Sequence, residues 1–186
     1  MSHAKLTAEN RLPGDPDKET LIEQIIRVDQ AGEYGAKRIY QGQLAVLGKS
    51  DTAPILKEML AQEEKHLATF NAIMAERRVR PTVLEPVWHV AGFALGAATA
   101  LMGKEAAMAC TAAVEDVISE HYAEQTAQLG DDEAALRDTI STFRGDELHH
   151  RDVSLQHGAR AAPAYLPLTA AIKAGTRLAI WLSKRI

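Results

Sequence analysis

The stretch 59–70, MLAQEEKHLATF, places a glutamate and a histidine three positions apart, at Glu63 and His66. Residues three apart share one face of an α-helix. At the helical period, Glu63 also shares a face with the apolar Met59 and Phe70, so its carboxylate is predicted to point into a helical core. One Glu-x-x-His pattern arises readily by chance in a helix rich in glutamate. The pattern therefore needs independent support.

A second copy of the pattern, 84 positions further along the chain, gives that support. Glu147 and His150 again stand three apart. Another glutamate stands roughly one helix length before each copy. It is Glu33 for the first copy and Glu115 for the second. The sequence therefore predicts two helical hairpins of equivalent chemistry. The repeat is wider than these positions, since Glu33, Tyr40 and Gln43 recur at an offset of 82 as Glu115, Tyr122 and Gln125.

All four glutamates fall on helical faces that are otherwise apolar. Glu33, for example, shares its face with Ile22, Ile26 and Leu44. Four carboxylates turned towards one core would be costly, because each loses its hydration and like charges repel. Two divalent cations would neutralise them. Carboxylates with imidazoles suit iron or manganese, and we expect iron.

This set of side chains is the ligand set of ferritin-like di-iron and di-manganese bundles, in which two helices supply one glutamate each and two supply Glu-x-x-His. The alternative is a coincidence of solvated side chains on an ordinary bundle. His149 stands next to His150 and is the residue most easily confused with a ligand. The predicted metal ligands are Glu33, Glu63, His66, Glu115, Glu147 and His150.

The helical period predicts an all-α, ferritin-like four-helix bundle made of two helical hairpins, with an extra apolar connecting helix and a C-terminal amphipathic helix. The connecting stretch, Val87 to Gly103, contains no Asp, Glu, Lys or Arg. At about 1.5 Å per residue it falls short of the ~30 Å hydrocarbon core, so we expect a buried or interfacial helix rather than a membrane span. The bundle helices are predicted at about 18–47, 51–78, 104–129 and 132–157, and a last helix reaches Ile186.

Length and composition fit one domain of 186 residues. We predict a single domain over residues 18–186, preceded by a flexible polar arm at residues 1–17 that does not resemble a signal peptide. The net charge of −4, with acids and bases interspersed, disfavours a nucleic-acid surface. Cys110 is the only cysteine, which excludes an intramolecular disulfide and a thiolate metal cluster.

The C-terminal stretch 160–186 carries five basic residues and no acid. On a helix, Ile172 and Leu182 lie on an apolar arc, with Lys173 and Arg177 nearly opposite. Such a basic amphipathic helix suits an anionic membrane surface. The alternative is a terminal helix that packs on the core, because packing also needs an amphipathic face.

Four further segments are long and specific: IRVDQAGEYGAKRIY at 26–40, RVRPTVL at 78–84, GFALGAATALMGKEAAMAC at 92–110 and PAY at 163–165. Through them the chain from about Leu21 to Ile186 resembles the demethoxyubiquinone hydroxylases, membrane-associated di-iron monooxygenases of ubiquinone biosynthesis. The ligands of that family fall on the six positions selected by the repeat.

The resemblance implies hydroxylation of the ring of a demethoxyubiquinol precursor, 2-polyprenyl-3-methyl-6-methoxy-1,4-benzoquinol, by O2 at two Fe ions per chain. Electrons would come ultimately from NADH, relayed by the bound quinone. The resemblance also suggests that His121 and Tyr122 line the substrate or proton path, although Tyr122 could equally be a packed core residue. Independently, Asp29 or Asp146 is a candidate to orient a ligand histidine.

A polyprenyl quinone substrate implies a peripheral membrane protein, on the cytoplasmic face of the cell membrane in a bacterium or the matrix face of the inner membrane in a mitochondrion. An oligomer and a lipid-binding accessory protein are both compatible with this interpretation. Two other functions stay open at this point: a ferroxidase or iron-storage protein on the same bundle, and a non-catalytic lipid-binding protein. Storage requires a hollow cage of many soluble subunits, whereas the apolar connection and the basic tail favour contact with lipid.

Overall fold

The computed structural model describes residues 14–186, which form six α-helices. Residues 1–13 of the predicted arm lie outside the described residues. The division of the chain into an arm and a single domain stays a prediction. Short 3₁₀ turns at Asp131–Glu133 and Ala159–Ala161 flank the fifth helix. In chain order the helices are α1 Lys18–Leu47, α2 Ala53–Arg77, α3 Glu85–Leu101, α4 Lys104–Gln128, α5 Ala134–Gln156 and α6 Tyr165–Ser183.

The helix ends follow local sequence signals. Asp17 caps α1, because its Oδ1 accepts a 2.8 Å hydrogen bond from the backbone N–H of Thr20. Pro54 stands in the first turn of α2, where a backbone N–H has no helical partner. Arg78 ends α2 in the left-handed conformation, with a φ of 57°. The four bundle helices begin and end within about two residues of the predicted bounds.

Helices α1, α2, α4 and α5 form the bundle as two hairpins, α1–α2 and α4–α5, which confirms the predicted fold. Two apolar clusters fill its ends. Along every bundle helix, the glutamate singled out by the repeat lies between the residues of one cluster and those of the other. The first cluster includes Ile26, Phe70, Tyr122 and Ile140, and the second includes Tyr40, Leu56, Met59 and Met108.

The connecting helix α3 lies almost backbone to backbone against α1. A Cβ atom added at Gly96 would stand 2.0 Å from the carbonyl oxygen of Ile39, and one added at Gly42 would stand 2.2 Å from that of Phe93. Only glycine permits so close an approach. The opposite face of α3, with Val87 and Val90, is exposed. Within residues 14–186, none of the helices is both long enough and apolar enough to cross a membrane.

Helix α6 packs against α4 through the buried Ile172 and two ion pairs. Lys173 pairs with Asp116, and Arg177 lies 2.9 Å from Glu120. The sequence interpretation favoured an anionic membrane surface for these basic side chains and left packing on the core open. Both side chains contact acids of α4, because the turn of α6 that presents them lies against that helix, and contact with a membrane stays a prediction.

Candidate metal centre

Four buried glutamates and two buried histidines converge in the middle of the bundle, between the two apolar clusters. They form two overlapping groups, and within each group one ligand-type atom per residue lies within 4.8 Å of all the others. All six side chains belong to residues that are at most 2% exposed. The first group is Glu33, Glu63, His66 and Glu147; the second is Glu63, Glu115, Glu147 and His150.

Glu63 and Glu147 belong to both groups, whereas Glu33 and Glu115 belong to one each. A carboxylate has two oxygens, so a glutamate shared by both groups can serve two cations at once. The arrangement thus distinguishes two central carboxylates from two end carboxylates, a distinction that the spacing alone does not make.

The hydrogen bonding of these side chains fits a pair of metal ions. Buried polar atoms nearly always have partners, and a buried atom without one destabilises the fold. Two cations would supply partners for the whole set. The buried atoms without a hydrogen bond include both carboxylate oxygens of Glu63 and Glu147, Oε2 of Glu115, and Nδ1 of His66 and His150.

The directions of the pKa shifts reflect the mutual repulsion of the buried carboxylates and their attraction to the histidines. Burial, reinforced by the nearby Glu147, raises the pKa of Glu63 and Glu115 well above the usual range. Burial would also raise the pKa of Glu147, but His150 and His66 outweigh that effect and lower it. Burial works to lower the pKa of His66, yet Glu147 and Glu33 raise it to about 10. Without cations, the cluster therefore favours protonated forms of Glu63, Glu115 and His66.

Both histidines turn Nδ1 towards the carboxylates. Nδ1 of His66 lies 3.1 Å from Glu147 Oε1, and Nδ1 of His150 lies 3.1 Å from Glu63 Oε1. Nδ1 is therefore the ring atom available to a metal. The neighbouring His149, the residue most easily confused with His150 in the sequence, is exposed on the outside of α5.

The outer nitrogen of each histidine has a partner on the other hairpin. His66 Nε2 lies 3.1 Å from Asp146 Oδ2, as predicted for one of the two candidate aspartates. His150 Nε2 lies 2.9 Å from Gln62 Oε1. Sequence reasoning missed Gln62, although the signal was present: Gln62 precedes one motif as Asp146 precedes the other. Such partners fix the tautomer and the orientation of a ligand imidazole.

Asp29, the other candidate aspartate, does not contact a ligand histidine. Its Oδ1 accepts a 2.7 Å hydrogen bond from Gln125 Nε2, which also lies 2.9 Å from His121 Nε2. The prediction for Asp29 was wrong because its turn of α1 faces α4 rather than α2 or α5.

Burial, together with Lys184, lowers the pKa of His121 to about 3.

The two buried tyrosines of the repeat cross between the hairpins. Tyr40 on α1 donates a 2.8 Å hydrogen bond to Glu115 Oε1 on α4, and Tyr122 on α4 donates one to Glu33 Oε1 on α1. The sequence singled out Tyr122 but gave Tyr40 no role, even though the repeat pairs them. Each phenol holds one of the end carboxylates.

An apolar cavity of about 510 Å³ lies between α1, α3, α4 and α6. Its wall includes Gly32 and Val114, the residues that directly precede Glu33 and Glu115. The six residues of the cluster are not among those that line the cavity. His121 and Tyr122 are not among the side chains that line it, and their place on a substrate or proton path stays a prediction.

The fold and the cluster together define a ferritin-like helical bundle with a carboxylate–histidine cluster compatible with a di-iron site. Residues 20–183 match the family described as ubiquinone biosynthesis protein COQ7. The chain belongs to that family, as the sequence resemblance predicted.

Several curated proteins are close relatives over most of their length. One from Rhodospirillum rubrum, 3-demethoxyubiquinol 3-hydroxylase, is 62% identical over 181 residues, which cover 97% of this chain and 85% of the relative. A human protein, NADPH-dependent 3-demethoxyubiquinone 3-hydroxylase, mitochondrial, is 53% identical over 169 residues, covering 89% and 78%. The 5-demethoxyubiquinone hydroxylase, mitochondrial, of Saccharomyces cerevisiae is 43% identical over 182 residues, covering 89% and 78%.

Proposed function

We propose that this chain hydroxylates the ring of a demethoxyubiquinol precursor with O2 in ubiquinone biosynthesis, at two iron ions held in the bundle. The observation that carries the proposal is the convergence of the two Glu-x-x-His motifs and two further buried glutamates in a member of this family. The names of the relatives favour a hydroxylase over an iron-storage protein or a non-catalytic lipid-binding protein.

In this proposal each iron ion has one histidine and one end glutamate of its own. His66 and Glu33 would hold one ion and His150 and Glu115 the other, with the central Glu63 and Glu147 within reach of both. When bound in the reduced state, iron supplies the activation of dioxygen that amino-acid side chains cannot provide. The chain's own contribution is to fix the ligands. Tyr40 and Tyr122 hold the end carboxylates through their phenolic hydrogen bonds.

The cavity is suited to the polyprenyl part of the substrate. Its lining is apolar, and its volume of about 510 Å³ falls within the range of small-molecule sites. Because Gly32 and Val114 line it one residue before two proposed ligands, a tail in the cavity would hold a ring near the metal centre. The apolar lining would also disfavour water in the cavity.

A polyprenyl quinone dissolves in lipid, so the chain must collect it from a membrane. Exposed apolar side chains stand on the two outer helices that border the cavity: Val87 and Val90 on α3, and Leu178 and Trp181 on α6. We propose that this face rests on the bilayer as a peripheral contact. In a bacterium that would be the cytoplasmic face of the cell membrane, and in a mitochondrion the matrix face of the inner membrane.

A reduced nicotinamide nucleotide would supply the electrons. The sequence resemblance pointed to NADH, whereas the human relative is named NADPH-dependent. Turnover with each nucleotide in turn separates the two donors. An accessory lipid-binding protein, if one is required, would show itself as turnover that occurs with membrane-bound substrate only when that protein is added.

The test of the proposed function uses the full chain loaded anaerobically with ferrous iron. The protein is mixed with a demethoxyubiquinone analogue, a reduced nicotinamide nucleotide and air, and the quinone products are analysed by mass spectrometry. We expect a product heavier by one oxygen atom. His150→Ala should abolish both iron pairing and product, whereas the matched control His149→Ala, on the exposed neighbour, should retain both. Equal activity in the two variants would contradict the proposed site.

A further inference from the structure

The groups that accept the outer hydrogen bonds of the two histidines differ in charge. The internal repeat places Gln62 and Asp146 at equivalent positions, each directly before the glutamate of its own motif. Each bonds the histidine of the other motif, Gln62 to His150 at 2.9 Å and Asp146 to His66 at 3.1 Å. The cluster is therefore symmetric in position but unequal in charge, because one partner is a neutral amide and the other a carboxylate.

We propose that Asp146 and Gln62 are positioning residues that make the two metal positions unequal, so that the position at His66 holds its ion more tightly than the position at His150. This inference rests on the proposed iron centre. It assigns a role to two residues that are not ligands themselves and act only through the imidazoles that they contact.

The physical reason is the charge of the group that accepts the hydrogen bond from the imidazole N–H. A hydrogen bond to a carboxylate is stronger than one to a neutral acceptor, and it pushes electron density into the ring. The inner Nδ1 of His66 then becomes the more basic ligand. An amide acceptor such as Gln62 orients the ring of His150 but increases its basicity less. The ion at His66 should therefore bind more tightly and be more readily oxidised to the ferric state.

The two positions have equivalent sets of carboxylates and tyrosines. Both share the central glutamates, and each has one end glutamate held by a tyrosine. Each histidine also has an aromatic neighbour: Phe143 stacks on His66 at 3.9 Å between ring centroids, and Tyr40 stands edge-on to His150 at 6.3 Å. The outer partner is the difference in charge that stands in direct hydrogen-bond contact with the two imidazole rings.

The test follows iron binding by Mössbauer spectroscopy rather than turnover. Ferrous ⁵⁷Fe is added anaerobically to the metal-free chain in steps up to two equivalents. In the natural protein the first equivalent should fill one quadrupole doublet before the second appears. In Asp146→Asn the tight step should weaken by about ten-fold or more, and the two doublets should fill together.

The amide side offers an independent variant. Gln62→Glu should strengthen the weak step, so that the two doublets again fill together. The double exchange, Gln62→Glu with Asp146→Asn, should restore unequal filling with the order of the doublets reversed. If Asp146→Asn does not fold, Gln62→Glu still decides the question, because it acts at the other histidine.

Two results of the iron titration have different consequences. Equal filling in the natural protein, or unequal filling that neither exchange alters, would overturn this inference while leaving an iron pair in place. A natural protein that binds no pair of iron ions at all would instead overturn the proposed function on which the inference rests.

Discussion

Tyr40 on α1 donates a 2.8 Å hydrogen bond to Glu115 on α4, across the interface between the two hairpins. Burial and the surrounding carboxylates raise the pKa of this phenol well above its usual range, so it stays a donor. The internal repeat produces the reciprocal contact from Tyr122 to Glu33. The two hairpins are thus joined by side chains of the candidate centre as well as by apolar packing.

Replacing Tyr40 with phenylalanine removes this donor and leaves a buried oxygen of Glu115 without it. We expect the free energy of unfolding of the metal-free protein to fall by about 1–3 kcal/mol, and iron to bind more weakly. Urea denaturation and an anaerobic iron titration measure the two effects. Tyr165→Phe, in the first turn of α6 and partly exposed, is the matched control. Unchanged stability and iron affinity in Tyr40→Phe would show that the contact has no structural role.

The metal-free protein should lose stability as the pH rises from about 7 to 8.5. The folded state holds the pKa of His66 at about 10, above the value of about 6.5 for the unfolded chain. The folded protein therefore keeps a proton that the unfolded chain has already released, and this contribution declines as the pH rises. The raised pKa values of Glu63 and Glu115 act in the same direction.

The expected slope from His66 is about 1.4 kcal/mol per pH unit. Denaturation in the presence of a chelator measures it. The metal-loaded protein should show a smaller slope, because the metal takes the place of the proton on Nδ1, and His66→Gln should reduce the slope of the metal-free protein. Stability that rises with pH over this window would contradict the described electrostatics.

A larger side chain in the cavity should weaken the binding of a long-tailed substrate more than that of a short-tailed one. A Cβ atom at Gly175 would meet open space, and Gly175 lines the cavity. Gly175→Leu should therefore raise the KM for a long-tailed substrate by about ten-fold, the cost of about 1.4 kcal/mol of lost binding, and leave that of a short-tailed analogue unchanged. Ala174→Leu, at the neighbouring position of α6 that does not line the cavity, is the control. Equal effects on both substrates would place the tail elsewhere.

The exposed apolar face should bind lipid. Leu178→Asp puts a charge on that face and should reduce co-sedimentation with vesicles of phosphatidylethanolamine and phosphatidylglycerol. Trp181, which is 51% exposed, should shift its emission to shorter wavelength when the natural protein binds. Ala61→Asp adds the same charge to the exposed side of α2 and should bind as the natural protein does. Loss of binding in both variants would indicate a general effect of charge instead.

Much of this arrangement could be predicted from the sequence, because the helical period and the repeat depend on spacing. Glu33 and Glu63 were expected to face the core from their apolar neighbours, and both are buried. The partner of Asp29 could not be predicted in the same way. It depends on how α1 is rotated against α4 of the other hairpin, and no spacing within a single helix encodes that rotation.

The C-terminal helix α6 shows the same limit of prediction from sequence. The amphipathic pattern of α6 correctly indicated a helix with an apolar face, but Lys173 and Arg177 pair with acids of α4. A pattern within one helix cannot distinguish an anionic membrane from an acidic neighbouring helix. The cavity also escaped prediction, because side chains from α1, α3, α4 and α6 enclose it together.

The most direct test of the central claim is the origin of the added oxygen atom. The iron-loaded chain is supplied with reduced nicotinamide nucleotide, a demethoxyubiquinol analogue and ¹⁸O₂, and the product is weighed by mass spectrometry. A hydroxylated product carrying one ¹⁸O atom from the gas is the predicted result. Unlabelled product, or fully iron-loaded protein that returns the substrate unchanged while it consumes ¹⁸O₂, would contradict the assignment of this bundle as a quinol hydroxylase.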